Sequence, residues 1–259
     1  MQLLSAASLD SSSKEAELLA AAWTGYQHVL KGRFHRGTVQ LGKATAAAEG
    51  FPRIHASCLG LSGLAARLAC HWDEVDRTLL AASREFATAN DPERAGLMLA
   101  LHVEALTAQG DLERAQANLV ELGSTYRSEQ LNSDLATVSL RIAQGKLKEA
   151  EDILDIVRQK LDARDARSAD AAWWAKSFQA ELLCDQRQYE VAEAVLQPVI
   201  EERLGTPSPD ESLVRLLCQL VQARLGAAWQ NENRRTPAWR EENSSTLDKT
   251  RHIASGYPR

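Results

Sequence analysis

A chain of 259 residues can bury a substantial core as one elongated domain with a tail. Apolar residues make up 44%, but aromatics only 5%; Ala and Leu dominate, which favours helices over strands. A formal net charge of −5 gives no reason to expect nucleic acid or an anionic membrane as partner, and no window approaches 18 uninterrupted apolar residues. The opening "MQLLSAASLDSSSKEAE" has neither a basic region nor a long apolar run, so no signal peptide is predicted. Cys58, Cys70, Cys184 and Cys218 are scattered without a CxxC and fall in helical patterns. Buried or half-buried free thiols in a reducing cytoplasm are the expectation.

In chain order, residues 1–13 are expected to be flexible, with Ser12 and Glu15 forming a capping box for the first helix. "LKGRFHRGTVQL" then sets out Gly32, Phe34, Gly37 and Leu41. "EGFP" ends a helix at Gly50, with Pro52 after it. "LACHWDEVDRTLL" gives Cys70, Trp72, Val75 and Leu79, and "NDPE" supplies Asp91 as a cap with Pro92 first in the next helix. "LTAQGDLERAQANL" has Gly110, Leu112, Ala115 and Leu119; "AQGKLKEAEDIL" has Gly145, Leu147, Ala150 and Leu154; "DQRQYEVAEAVL" has Arg187, Tyr189, Ala192 and Leu196. "LGTPSPDES" stops a helix at Gly205 and restarts at Ser208, with Pro209 first and Glu211 closing a second capping box. Residues 209–226 read as a sixth first helix with Gly226 at the next turn. The second helix then fails at Ala228, Asn231 and Arg235, with Pro237 beyond. Residues 227–259 are polar, without period, and expected to be a mobile tail, although Trp229, Trp239 and Tyr257 are unusual in a spacer.

These segments repeat one order. Anchors at 32, 70, 110, 145 and 187 recur every 35 to 42 residues, the mark of an array. Seven places before each stands Gly25, Gly63, Val103, Val138 or Ala180. After each, apolar residues fall at +2, +5, +9 and +12, the last being Ala44, Ala82, Leu122, Val157 and Val199. Offsets of three and four share one helical face, so each unit is a helix, a turn at the anchor and a second helix. Gly tolerates the turn; the bulky +2 residue packs back into the pair; the small +5 residue lets the helices approach.

The copies "QGDLERA" and "QGKLKEA", with Gly25 and Gly63 at a helix-crossing position, make residues 14–204 resemble the tetratricopeptide repeat family. The resemblance implies an all-α, right-handed α-α superhelix of about five helical hairpins plus a terminal capping helix, a repeat domain over 14–226. Three departures stand out: periods above 34, Cys70 and Arg187 as anchors, and Leu or Ala at sites the family fills with aromatics. Longer Ala/Leu-rich repeats of this style resemble the sensory halves of bacterial signalling proteins, diguanylate cyclases and large maltose-regulator-type transcription activators.

By that resemblance the concave groove lies 13, 10, 6 and 3 residues before each anchor. The partner-binding candidates are Tyr26, Arg67, Glu104, Thr107, Asn132, Ser139, Trp174, Ser177 and Glu181, with Leu19, Ala22, Ser57 and Leu97 beside them. The cations with which the family's chaperone-binding members clamp a terminal carboxylate are missing, since only Arg67 is basic. Tyr26 and Trp174 suit a partner peptide or helix as amphipathic anchors, although Trp174 could instead pack with Trp173 at a hairpin junction.

Two motifs tempt. "GTVQLGKAT" nearly matches a P-loop, but Ala44 replaces the Mg²⁺-binding hydroxyl and the stretch lies in a helix, not after a strand. His55, Cys58, Cys70 and His71 resemble zinc ligands, yet fifteen residues of helix at ~1.5 Å each separate His55 from Cys70 by about 22 Å. No nucleophile elbow, HExxH or GxGxxG is present. The expectation is a cytoplasmic, non-enzymatic protein-binding scaffold that takes a protein or peptide, or itself, without cofactor, metal, nucleic acid or membrane. The alternative is a small-ligand sensory domain whose output module lies elsewhere. Ala115→Arg or Ala150→Arg is expected to unfold its hairpin, and Glu104→Lys to leave the fold intact.

Overall fold

The computed structural model describes the backbone of residues 2–126, 130–162, 169–204 and 211–235, and side chains within 13–126, 131–162, 172–204 and 215–231. Among the described residues the chain is all-α: α1 (Gln2–Leu30), α2 (Phe34–Ala47), α3 (Pro52–Leu68), α4 (Trp72–Thr88), α5 (Pro92–Gln109), α6 (Leu112–Thr125), α7 (Gln130–Ala143), α8 (Leu147–Asp162), α9 (Ala169–Asp185), α10 (Tyr189–Leu204) and α11 (Glu211–Arg235).

All five anchors lie at the turn within a pair, and all are left-handed: φ is 73° at Gly32, 56° at Cys70, 83° at Gly110, 72° at Gly145 and 61° at Arg187. Each turn closes by the same two hydrogen bonds. The anchor N–H reaches back three residues and the next N–H five: Gly110 to the Thr107 carbonyl and Asp111 to that of Leu106, both at 3.0 Å. This is a Schellman closure, which satisfies carbonyls that a helix end would leave bare. Cys70 and Arg187 adopt it without glycine's freedom. Asn90, with φ 56°, closes the α4–α5 junction in the same way and escaped the repeat register. Asp91 and Asp111 cap α5 and α6, accepting from the N–H groups of Arg94 and Arg114.

The packing code sits inside. Val75, Ala115, Ala150 and Ala192 at +5 are all 0% exposed, and the residues at −7, +9 and +12 are buried throughout. At +2 the result is weaker. Trp72, Leu112, Leu147 and Tyr189 are half-buried, but Phe34 is 42% exposed and does not pack back into its pair. Extensive contacts join helices that are neighbours or next-but-one in the chain. The core is correspondingly a row of five clusters, each built from one hairpin and the helix that follows it.

Both ends differ from the sequence reading. α1 runs without a break from Gln2, so Ser12 lies within the helix and not at its start; no Gly or Pro interrupts the chain before Gly25. α11 continues through Gly226 to Arg235. Gly226 is a contact glycine and not a turn: a Cβ there would stand 2.5 Å from the Tyr189 ring. Beyond it, Gln230 donates to the Arg187 carbonyl at 3.0 Å, holding the extension to the α9–α10 turn, while Trp229 is 42% exposed. The restart at Ser208 and the tail from 236, with Trp239 and Tyr257, lie outside the described residues. Cys58 and Cys184 are buried, but Cys70 and Cys218 are exposed: a turn residue points outward, and Cys218 stands on a helix that, among the described residues, packs extensively only on α9 and α10. No helix among the described residues is long and apolar enough to cross a membrane.

Candidate partner-binding groove

Alternate helices from α3 onward present residues to one concavity of about 530 Å³. Its wall is built at repeating offsets from the anchors. Position −6 supplies Glu104, Ser139 and Glu181; position −3 supplies Arg67 and Thr107; position −2 supplies Leu68, Ala108, Ala143 and Asp185. α11 closes the other side with Arg215, Cys218, Gln219 and Gln222. One helical face of α3, α5, α7 and α9 is thus shared by the same register of residues, as period 3.6 requires.

Five of the nine candidate residues therefore meet: Arg67, Glu104, Thr107, Ser139 and Glu181. The other four are elsewhere. Tyr26 is 4% exposed in the core of α1, α2 and α3, with Trp23 edge-on at 6.0 Å. Trp174 is half-buried against the core of α7, α8 and α9, its ring 6.0 Å from that of Phe178. Ser177 is 3% exposed and donates to the Gln219 side-chain oxygen at 2.9 Å, so it braces the wall from behind. Asn132, near the start of α7, is half-buried and off the concavity. Tyr26 is drawn into the core beneath, whereas Trp174, half-buried, packs on Phe178 beside the Arg215 guanidinium and does not line the concavity. The residues missed were the −2 set and the α11 wall. The −2 position borders the turn, and α11 belongs to no complete unit.

Charge in the groove is arranged in pairs. Arg67 and Glu104, 12% and 8% exposed, stand 3.6 Å apart. Arg215 meets Glu181 at 2.9 Å, and its guanidinium lies 5.0 Å from the Trp174 ring centre and 4.7 Å from that of Phe178. Gln219 also donates to Glu181, at 3.4 Å. Partial desolvation inside the concavity, and then the charge of Glu181, push the Asp185 carboxyl above its ordinary value, although the residue as a whole is exposed. Glu104 is too enclosed to be reversed harmlessly. Glu104→Lys would bury a second cation beside Arg67, so that change is now expected to destabilise the fold.

One polar constellation was not foreseen. His102, 1% exposed on α5, donates from Nε2 to Asp76 of α4 at 2.6 Å and accepts at Nδ1 from the Asn118 amide of α6 at 2.8 Å. Arg114 grips both Asp76 oxygens at 2.7 and 2.8 Å. Burial holds the imidazole below its ordinary pKa, against the pull of Asp76. Burial also raises Asp76, but the hydrogen bonds from Arg114 and His102 outweigh it and bring the carboxyl below its ordinary value. With both nitrogens of His102 engaged, the imidazole has no free atom to act as a base; it ties three helices together.

Of the four residues resembling zinc ligands, His55 pairs with Glu85 at 2.6 Å, Cys58 is buried, Cys70 sits on its turn and His71 is 4.0 Å from Glu74. Among the described residues no three His, Cys, Asp or Glu side chains are grouped to hold a metal ion. Comparison of the chain with protein-family models, with curated proteins and with solved structures returns no match.

Proposed function

We propose that this chain is a tetratricopeptide-like, right-handed α-α superhelix that binds a segment of a partner protein in the concavity between its alternate helices. The observation that carries the reading is the shared register: successive hairpins give residues at the same offsets to one wall, so that wall extends with the array. Its chemistry suits a peptide. Carboxylates, guanidiniums, side-chain amides and hydroxyls stand side by side, and apolar contact comes mainly from Leu68, Ala108 and Ala143. Such a lining meets a backbone's donors and acceptors better than it encloses an apolar small molecule. The second reading, a sensory domain for a small ligand, draws on the volume of about 530 Å³, which falls within the range of ligand pockets. Free thiols at all four cysteines fit a reducing cytoplasm.

The test is selection of displayed peptides on the full chain, followed by titration of the selected peptides against Asp185→Lys and Gln222→Arg. Both positions are exposed on the wall, so the fold should survive. Groove binding predicts at least a tenfold loss of affinity in one or both variants. Peptides that bind the variants as tightly as the parent chain would refute it, and a thermal shift with a polar metabolite set would then take up the second reading.

A further inference from the structure

The first hairpin differs in charge from everything after it. Between Glu17 and Glu49 the sequence has no Asp or Glu but carries Lys31, Arg33, Arg36 and Lys43, in a chain with 30 basic and 35 acidic residues. All four are exposed, and none meets a carboxylate among the described residues. Downstream the pattern reverses: Arg67, Arg114, Arg141, Arg215 and Arg224 each reach a carboxylate on another helix. The local field is felt by His28, which its own burial and then Arg36, Arg33 and Lys31 hold below the ordinary imidazole value. On α2, Arg36, Val39 and Lys43 share one face and line a shallow hollow of about 500 Å³. Val39 is 44% exposed at its centre. α2 packs extensively only on α1 and α3, so this face is uncovered.

We propose that the outer face of α2 is a second docking surface, for an acidic amphipathic helix of a partner protein. Carboxylates about seven residues apart on one face would meet Arg36 and Lys43, and an apolar side chain one turn from each, on the same face, would cover Val39. Charge complementarity selects this occupant. An extended polyanion such as nucleic acid would gain only these few cations and be repelled by the net negative remainder. The acidic helix α8 of a second copy is a poorer match, because its Glu149, Glu151, Asp152 and Asp155 already pair with their own cations.

The probe is a fluorescein-labelled 16-residue helical peptide whose one face carries Glu at seven-residue spacing with Leu between, titrated by anisotropy against the full chain. Saturable binding is expected, weakened at least tenfold in Arg36→Glu/Lys43→Glu and about threefold in Val39→Ser, with far-UV helicity unchanged. Lys148→Glu/Lys176→Glu, which alters net charge equally, should stay within twofold, as should the groove variant Asp185→Lys. Absence of saturable binding overturns the proposal, as does equal affinity for Arg36→Glu/Lys43→Glu. Tighter binding of a 16-mer single-stranded DNA overturns it in favour of nucleic acid. Light scattering that shows a dimer abolished by Arg36→Glu/Lys43→Glu overturns it in favour of self-association.

Discussion

The α1–α2 and α5–α6 hairpins have the same turn and the same order of apolar positions, yet they are held by different forces. In α1–α2 the helices cross glycine on glycine. A Cβ on Gly37 would lie 2.4 Å from Val29 Cγ2 and 2.7 Å from the Gly25 backbone oxygen. The close backbones leave little room for side chains to bond across; Gln40 does so at the edge, donating to the Ala21 carbonyl at 3.2 Å. In α5–α6 the crossing is Val103 on Ala115, both 0% exposed. The wider spacing leaves room for His102, whose bonds to Asp76 and Asn118 join α4, α5 and α6. One sequence code therefore admits two solutions: close van der Waals contact, or looser packing stitched by a satisfied polar network.

The comparison can be broken most sharply at Ala115. Ala115→Arg buries an unpaired charge and should cost about 3–5 kcal/mol, read as a lower urea midpoint. Retention of the parent midpoint would mean that Ala115 is not the closest-approach position. Gly37→Leu comes next. It only overpacks, so about 1–3 kcal/mol is expected, with the loss confined to the first hairpin by hydrogen exchange.

The polar network adds a pH signature of its own. The folded-state pKa of His102 lies below its unfolded value, so the unfolded chain binds the proton more readily. Stability is complete above an unfolded pKa of about 6.5 and falls as pH drops below it. His102→Gln should flatten that part of the profile, and an unchanged slope would remove His102 as its source. The smallest effect concerns what the two hairpins share. Gly32→Ala and Gly110→Ala should each cost about 1 kcal/mol, because both force a Cβ into a left-handed turn. Clearly different costs would show that the turns are not one device.

The groove was less legible than the fold, for a reason visible at single residues. Ala115, Ala150 and Ala192 announce themselves because burial and small size recur at one offset. Glu104 and Glu181 were found by the same register. Tyr26 and Trp174 were misplaced because an amphipathic ring fits a groove or a core equally well on sequence grounds. Asp185 and the α11 residues were missed because they face the concavity from a turn border and from an unpaired helix. Gly226 shows the limit most clearly. In sequence a glycine after an apolar helix reads as a stop, whereas in the structure it makes room for Tyr189.

What the sequence determined by itself was the all-helical class, the five hairpin turns and the buried face of each helix, since these depend on local periodicity and on φ at single positions. Tertiary structure alone decided that α11 runs on past Gly226, which groove residues converge, which cations find partners and which remain exposed on α2. These outcomes depend on distances between helices far apart in the chain, and those distances are set by the volume of each crossing residue, Gly in one hairpin and Val against Ala in another.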